Sequence, residues 1–306
     1  MERKLKVGIS VSSFGAADAS PLELLKAEGF EIVPNPFGRR LTEDEIGNFI
    51  QGVDGIIAGL EPLNRSVLSQ SPQLKAIARV GIGTDNVDLK AAKEFDIKVS
   101  NTPDGPTEAV SEAVVSYLLA LLRRLPEINQ DMHQGSWVKK MCKSIRGLRV
   151  TIIGFGRIGR RVAQLLSTLG ADIIIVDPYL SNFDNLPYPV VSLEEGLKSA
   201  EAISLHASGT DTILGKREFS LLNDGCFLLN AARGSLVCEK ALIDTLNSDK
   251  LSGVWFDTFW DEPYKGPLIG HPKAVLSPHL ATFTDQCRLS MESEAARNLI
   301  SDLSPA

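Results

Sequence analysis

Apolar residues recur along this chain in two alternating rhythms. Short runs rich in Val, Ile, Leu and Ala predict strands at Leu5–Val11, Glu31–Val33, Asp54–Ala58, Lys75–Ala78 and Ile97–Ser100. Between them, apolar positions at helical spacing predict helices over Pro21–Glu28, Glu43–Ile50, Ser66–Gln70 and Leu89–Phe95. Thr42 followed by Glu45 has the form of a capping box. The turn formers Asn101-Thr102-Pro103-Asp104-Gly105-Pro106 mark a hinge. Thr107 to Leu125 then reads as one long helix, apolar nearly all round, and therefore buried in a core or against a second subunit. The alternation resumes with strands at Val150–Ile153, Ile173–Val176, Val190–Val191, Ala202–Leu205, Cys226–Asn230, Gly253–Phe256 and Ala274–Leu276. Helices are expected at Leu193–Ser199, Arg217–Leu222, Glu239–Asn247 and Asp285–Leu303, the last burying Leu289, Ala296, Leu299 and Ile300. Strands alternating with helices imply an α/β fold with doubly wound parallel sheets. A chain of 306 residues exceeds what one compact core usually holds, so two domains are expected, with no third after the last helix.

One stretch carries more than pattern. After the run Val150–Ile153 come Gly154, Gly156 and Gly159, spaced G-x-G-x-x-G. A helical pattern follows with Ile158, Val162, Leu165, Leu166 and Leu169 on one face and Gly170 as its stop. The next run, Ile173–Val176, ends in Asp177. In dinucleotide binding the first glycine allows a tight turn, the second lets backbone approach a pyrophosphate, and the third lets the helix pack close to the strand. The helix N-terminus offers N–H groups and partial positive charge to phosphate. A carboxylate about twenty residues on accepts hydrogen bonds from a ribose 2′-hydroxyl and repels a 2′-phosphate, favouring NAD over NADP.

Bulk properties exclude other classes. The hydrophobic fraction of 43% and charged fraction of 23% are those of an ordinary globular chain, and a net charge of −6 argues against nucleic-acid binding through a basic surface. No apolar run is long enough to span a bilayer, and MERKLKVGIS lacks a signal-peptide pattern. Cys142, Cys226, Cys238 and Cys287 form no cluster of metal-ligand spacing, so no metal is expected and free thiols in a reducing cytoplasm are.

Three loops, each following a predicted strand, supply candidate chemistry, and strand ends are where open α/β sheets place their sites. Arg233, in Asn230-Ala231-Ala232-Arg233-Gly234-Ser235, can hold a carboxylate bidentately. His279, in Ser277-Pro278-His279-Leu280, is the best general acid/base in the chain. Glu262, in Asp257-Thr258-Phe259-Trp260-Asp261-Glu262-Pro263, would stabilise its imidazolium.

Taken together, these motifs resemble the D-2-hydroxyacid dehydrogenase family over nearly the whole chain. The match is carried by Ala78-Arg79-Val80-Gly81-Ile82-Gly83-Thr84-Asp85-Asn86-Val87-Asp88, Asn101-Thr102-Pro103, Gly154–Gly159, Ala232-Arg233-Gly234, Asp257–Pro263 and Pro278-His279. The resemblance implies a Rossmann NAD-binding domain, residues 102–283, inserted in a flavodoxin-like substrate domain, residues 1–101 and 284–306. It implies NAD as cofactor, held by Gly154, Phe155, Gly156, Arg157, Ile158, Gly159, Asp177 and Asp257, the last on the nicotinamide carboxamide. Arg233 would bind the carboxylate and keto oxygen of a 2-hydroxy or 2-keto acid. His279 would pass the proton and Glu262 would tune it. Backbone N–H groups of Ile82 and Gly83 would take the carboxylate, with Arg79 beside them. Hydride would move between nicotinamide C4 and substrate C2 as a cleft closes. The helix 107–125 would make a homodimer.

The first-domain motifs, Pro36-Phe37-Gly38-Arg39-Arg40-Leu41-Thr42-Glu43 among them, are most similar to phosphoglycerate-dehydrogenase-type relatives. That points to D-3-phosphoglycerate, yet Ile57-Ala58-Gly59-Leu60-Glu61-Pro62 carries no arginine where some such enzymes have one. Glyoxylate, hydroxypyruvate and phosphonate-bearing 2-keto acids stay open. No appended regulatory domain is expected, and with it no feedback by serine. Ser204–Thr210 lacks the proline of the loop that many relatives place beside the nicotinamide, so no role is carried over to Ser208. His206, His133 and His271 are expected to be structural. A different class also shares the fold: NAD-sensing corepressors that bind peptides and turn over slowly.

Overall fold

The computed structural model describes residues 3–181 and 185–304. Contacts divide the chain into two units, Met1–Pro106 with Phe283–Ala306, and Thr107–Thr282.

The first unit runs β1 (Lys6–Ile9), α1 (Ser20–Ala27), β2 (Glu31–Pro34), α2 (Glu43–Phe49), β3 (Gly55–Ala58), α3 (Arg65–Leu68), β4 (Ala76–Arg79), α4 (Leu89–Glu94) and β5 (Lys98–Ser100). Its strands are all parallel, in the order β2-β1-β3-β4-β5, which is the flavodoxin-like order. Central strands β3 and β4 are buried throughout, while edge strands β2 and β5 are partly exposed. This explains why Ile56-Ile57-Ala58 and Ala76-Ile77-Ala78 are continuous apolar runs rather than alternating ones. The capping box at α2 is formed: Thr42 Oγ1 accepts from Glu45 N, and the Glu45 carboxylate accepts from Thr42 N. Arg39 grips the same carboxylate at 2.7 and 2.8 Å, and with the Thr42 N–H it holds Glu45 down at about 2.

The second unit begins with α5 (Pro106–Leu122) and α6 (Leu125–His133). One helix to Leu125 was the expectation, but the chain breaks at Arg124, which lies in the left-handed region at φ 53. Pro126 is the cause, because it has no N–H to give the Leu122 carbonyl and instead opens the first turn of α6. Lys143 N takes that carbonyl at 3.0 Å. One face of α5, from Val110 through Val114, Leu118, Leu121 and Leu122, lies in the core; Val115, Tyr117 and Leu119 are half-buried.

There follow β6 (Arg149–Ile153), α7 (Arg157–Thr168), β7 (Asp172–Val176), α8 (Leu193–Ser199), β8 (Ala202–Leu205), α9 (Lys216–Ser220), β9 (Cys226–Asn230), a 3-10 turn at Gly234–Leu236, α10 (Glu239–Asn247), β10 (Leu251–Phe256) and β11 (Ala274–Leu276). These strands form a second parallel sheet in the order β11-β10-β9-β8-β6-β7. The strand expected at Val190–Val191 is reduced to a single bridge, Val190 against Ile175, on the outer side of β7. With that bridge counted, the sheet has the Rossmann order. Leu169, expected on the buried face of α7, is 43% exposed, since it sits beyond the last helical residue.

Finally α11 (Asp285–Leu303) packs on α1, β3 and β4 of the first unit. Its buried stripe is Cys287, Arg288, Met291, Glu292, Ala295, Ala296, Leu299 and Leu303; Leu289 and Ile300 lie beside it and are only half-buried. The sequence expectation fails there because two of the buried positions are charged. Arg288 Nε donates to Glu292 Oε1 at 2.9 Å, and Glu292 Oε2 accepts from Gly15 N at 2.7 Å, so both side chains enter the core as a satisfied pair. Among the described residues, no helix is long and apolar enough to cross a membrane.

Candidate active site

The glycine turn sits between β6 and α7. Gly154 has φ +93, open to glycine with little penalty, and a Cβ there would meet Ala207 N at 2.5 Å and His206 C at 2.6 Å. A Cβ on Gly159 would lie 2.1 Å from the Gly154 carbonyl oxygen. Around Gly156 there is open space within 4 Å, and no side chain caps the helix that starts beside it. Tight turn, open approach and close helix packing thus fall at the first, second and third glycines respectively. The cradle fits a pyrophosphate, with the first-turn N–H groups of α7 to receive it.

Phe155 is buried, makes an edge contact with Tyr188, and lies under the Arg160 guanidinium at 4.5 Å. Arg157 opens α7 and is exposed, whereas Ile158 is half-buried against the core. Asp177 directly follows β7, and its Oδ2 accepts from Phe155 N at 2.7 Å while Oδ1 accepts from Tyr179 N at 2.9 Å. The carboxylate therefore pins the glycine turn from the neighbouring strand, and each oxygen retains a second lone pair for a ribose hydroxyl.

Arg233, Glu262 and His279 follow β9, β10 and β11, three neighbouring strands of one sheet. The arginine loop is clamped by Asn230, whose Oδ1 accepts from Ala232 N and whose Nδ2 donates to the Arg233 carbonyl. Gly234 lets this loop lie on the next one, since a Cβ there would meet Phe259 C at 2.2 Å. The Arg233 side chain is half-buried and its Nη1 donates to the Ala232 carbonyl at 2.8 Å.

The acid-bearing loop is nailed down by aromatic groups. Phe259 stacks on Tyr264 at 4.6 Å, Trp260 stacks on Phe256, and Trp260 Nε1 donates to the Val237 carbonyl at 2.6 Å. Tyr264 Oη donates to Glu239 at 2.6 Å; burial and that carboxylate push the phenol up to about 12. Glu262 Oε2 lies 2.9 Å and Oε1 3.1 Å from His279 Nδ1, with both side chains partly exposed. With Nδ1 facing the carboxylate, Nε2 is the ring nitrogen left for a reacting oxygen.

His279 itself has φ 52, left-handed for a non-glycine residue, which costs about 1–2 kcal/mol. Its N–H is shared between the carbonyls of Asp257 and Ser277. The Asp257 carboxylate, 1% exposed, takes Leu280 N on Oδ1 and Ala281 N on Oδ2, both at 2.9 Å, and Ser277 Oγ on Oδ1 at 2.5 Å. Hydrogen bonds to a charged group are worth about 1.5–3 kcal/mol each, so this set outweighs the backbone cost. Asp257, expected on the carboxamide, thus also holds the loop that carries His279.

In the first unit, Arg79 ends β4 and Gly81 follows at φ +132. Arg79 is 7% exposed, and its Nη1 donates to the Val80 carbonyl at 2.6 Å. The turn is held by the hinge motif: Gly81 N donates to Thr102 Oγ1, Thr102 N to the Gly81 carbonyl, and Asn101 Nδ2 to the Ile82 carbonyl. Ile82 is 38% exposed and Gly83 half-buried. After β3, the buried Glu61 carboxylate accepts from Ser10 Oγ at 3.0 Å and Gly59 N at 2.8 Å.

Of the remaining histidines, burial drives His206 down to about 3, and its Nε2 lies 2.7 Å from Ser204 Oγ. Burial and nearby Lys273 lower His271, whose Nδ1 accepts from Lys273 N. His133 lies exposed in the last turn of α6. Sequence reasoning missed Asn230, Ser277 and Trp255, which hold the loops rather than react. Asn230, a turn-forming side chain at a strand end, carried the one available signal.

Residues 115–281 match the model of the D-isomer specific 2-hydroxyacid dehydrogenase, NAD binding domain. The chain is 30% identical over 290 residues to a hydroxypyruvate reductase of Thermotoga maritima, covering 92% of this chain and 93% of that one. It is 32% identical to a D-3-phosphoglycerate dehydrogenase of Methanocaldococcus jannaschii over 81% of this chain, but spans 49% of that protein and 48% of its Archaeoglobus fulgidus counterpart, about half the length of each. The TT0316 protein of Thermus thermophilus superposes with TM-score 0.89 at 31% identity, covering 98% of this chain and 97% of that one.

Proposed function

The chain belongs to the D-isomer-specific 2-hydroxyacid dehydrogenase family, and we propose that it moves a hydride between NAD(H) and a D-2-hydroxy acid or its 2-keto acid. The observation that carries this reading is the Glu262–His279 couple, 2.9 Å apart, standing with Arg233 at the ends of three neighbouring strands. NADH, when bound, supplies the hydride. Gly154 to Gly159, with Phe155, Arg157 and Ile158 between them, would hold the dinucleotide, and Asp177 its ribose hydroxyl. Arg233 anchors the substrate carboxylate and draws charge onto the keto oxygen. His279 gives that oxygen a proton from Nε2, while Glu262 fixes the ring and steadies its charged form. Within the first unit, the turn that carries the Ile82 and Gly83 N–H groups beside Arg79 is proposed as a carboxylate-binding turn. Asp257 supports the site through the 277–281 loop, with the nicotinamide carboxamide as a further partner.

The substrate favoured is a small unphosphorylated 2-keto acid such as hydroxypyruvate or glyoxylate. A carboxylate, Glu61, rather than a cation follows β3, and Arg39 is engaged by Glu45. A second reading, D-3-phosphoglycerate, draws on the buried Arg79 and on the names of relatives matched over 48%, 49% and 73% of their own length. The protein is proposed to act as a homodimer through residues 107–125. Support comes from the half-buried Val115, Tyr117 and Leu119, and from Trp137 and Met141 further along the chain, 81% and 91% exposed. Cytoplasmic residence accords with four free cysteines, two of them buried.

Following NADH absorbance with hydroxypyruvate, glyoxylate and 3-phosphohydroxypyruvate tests both substrate readings. Brisk turnover of one supports the enzyme; tight NADH binding without turnover supports a sensor. His279→Ala should lose about 10²–10⁴-fold in kcat and keep its NADH affinity. An equally active variant sinks the role of His279, and equal use of NADPH sinks that of Asp177.

A further inference from the structure

The loop that carries His279 is held by buried groups that the hydride and proton transfers do not touch. Ser277 is 3% exposed and Trp255 is fully buried, on the strand beside it. Trp255 Nε1 lies 2.9 Å from Ser277 Oγ, and Ser277 Oγ lies 2.5 Å from Asp257 Oδ1. We propose that Ser277 and Trp255 are positioning residues for His279, locking the Asp257 carboxylate that fixes the backbone directly after it. The proposal rests on the acid/base reading of His279.

The polarity of the chain of groups leaves one arrangement. An indole N–H can only donate, so Ser277 Oγ accepts from it. The hydroxyl proton is then free to go to Asp257, where the carboxylate oxygen accepts. One oxygen of Asp257 serves both Ser277 and Leu280 N, and the other serves Ala281 N. Removing the hydroxyl strands a buried N–H and leaves the carboxylate free to turn about its last bond, which loosens the two N–H groups directly after His279. The left-handed backbone at His279 is less favourable than the regions at negative φ, so once those bonds loosen it is free to relax away. A small shift there is amplified at the ring, and misplacement of a reacting group by about 1 Å can cost 10²-fold in rate. Trp255 is braced in turn, stacked on Tyr117 of α5 at 4.3 Å and 13°. The device therefore reaches from the strand-end loop to the helix proposed to meet a second subunit.

The test uses the whole protein with NADH and whichever of hydroxypyruvate, glyoxylate and 3-phosphohydroxypyruvate turns over fastest. Ser277→Ala is expected to lose about 30- to 100-fold in kcat, with NADH affinity within about twofold of the parent. Ser277→Thr, which keeps the hydroxyl, should recover to within about threefold, and Trp255→Phe, which keeps the stack, should lose about tenfold. Parent kcat in Ser277→Ala and Trp255→Phe overturns the proposal. So does a threonine variant no better than alanine, or a parallel fall of kcat and NADH affinity in both variants, which would mark a merely structural role. His279→Ala run alongside separates the two claims. Full activity there, or no turnover by the parent, sinks the reading of the site; an inactive His279→Ala beside an unimpaired Ser277→Ala sinks only the positioning role.

Discussion

Each unit carries a glycine turn at the end of a central strand, and the two are crowded by different things. At Gly159 the missing Cβ would lie 2.1 Å from a carbonyl oxygen, and at Gly154 within 2.6 Å of two main-chain atoms. At Gly81 it would lie 1.5 Å from Arg79 Nη1, the tip of a side chain. Main chain against main chain is set by how helix and strand pack, and cannot give. A guanidinium can swing aside. The first kind of crowding therefore demands glycine at a fixed spacing, while the second only links one glycine to one arginine.

The largest effect that follows is at Gly159. Gly159→Ala should cost about 3 kcal/mol or more in stability and lower NADH affinity at least tenfold, read by thermal melting and fluorescence titration. A variant that melts and binds like the parent erases the contrast. Gly81→Ala comes next, at about 1–3 kcal/mol, because φ +132 disfavours any side chain and Arg79 must move. Here KM for the keto acid should rise while NADH affinity holds. Combining Gly81→Ala with Arg79→Ala should recover part of the stability; strict additivity would show that backbone strain alone is at work.

A third effect, read across pH rather than at a glycine, lies at the main-chain contact of Gly154. Burial holds His206 at about 3 against an ordinary 6.5, so the unfolded chain binds a proton that the folded one lacks. The stability this residue contributes is complete above pH 6.5 and is lost as the pH falls toward 3. Thermal melts of the parent should drop more steeply over that window than those of His206→Gln. Identical slopes would place the acid sensitivity elsewhere.

The same contrast explains what could be read in the residues. The glycine turn, the capping box at Thr42 and Glu45, and the strand-helix alternation are local, so their spacing carries them. The break at Arg124 was also local, signalled by Pro126, but the apolar run across it masked the signal. Arg288 and Glu292 were illegible, because nothing in a helical pattern distinguishes two solvated charges from two that enter a core together. The same holds for Asp257: its place after β10 was evident, yet which neighbours claim its oxygens depends on the register of β11.

The chain leaves the first unit after Pro106 and returns at Phe283, and α11 then lays Leu299 and Leu303 into that unit's core. During synthesis the order of emergence is thus inverted relative to the order of completion. Residues 107–282 are contiguous and can close on themselves while the strands before them still wait, with an uncovered sheet face, for α11 to leave the ribosome. Protection of nascent chains against protease should accordingly appear first in residues 107–282 and only later in the unit that precedes them.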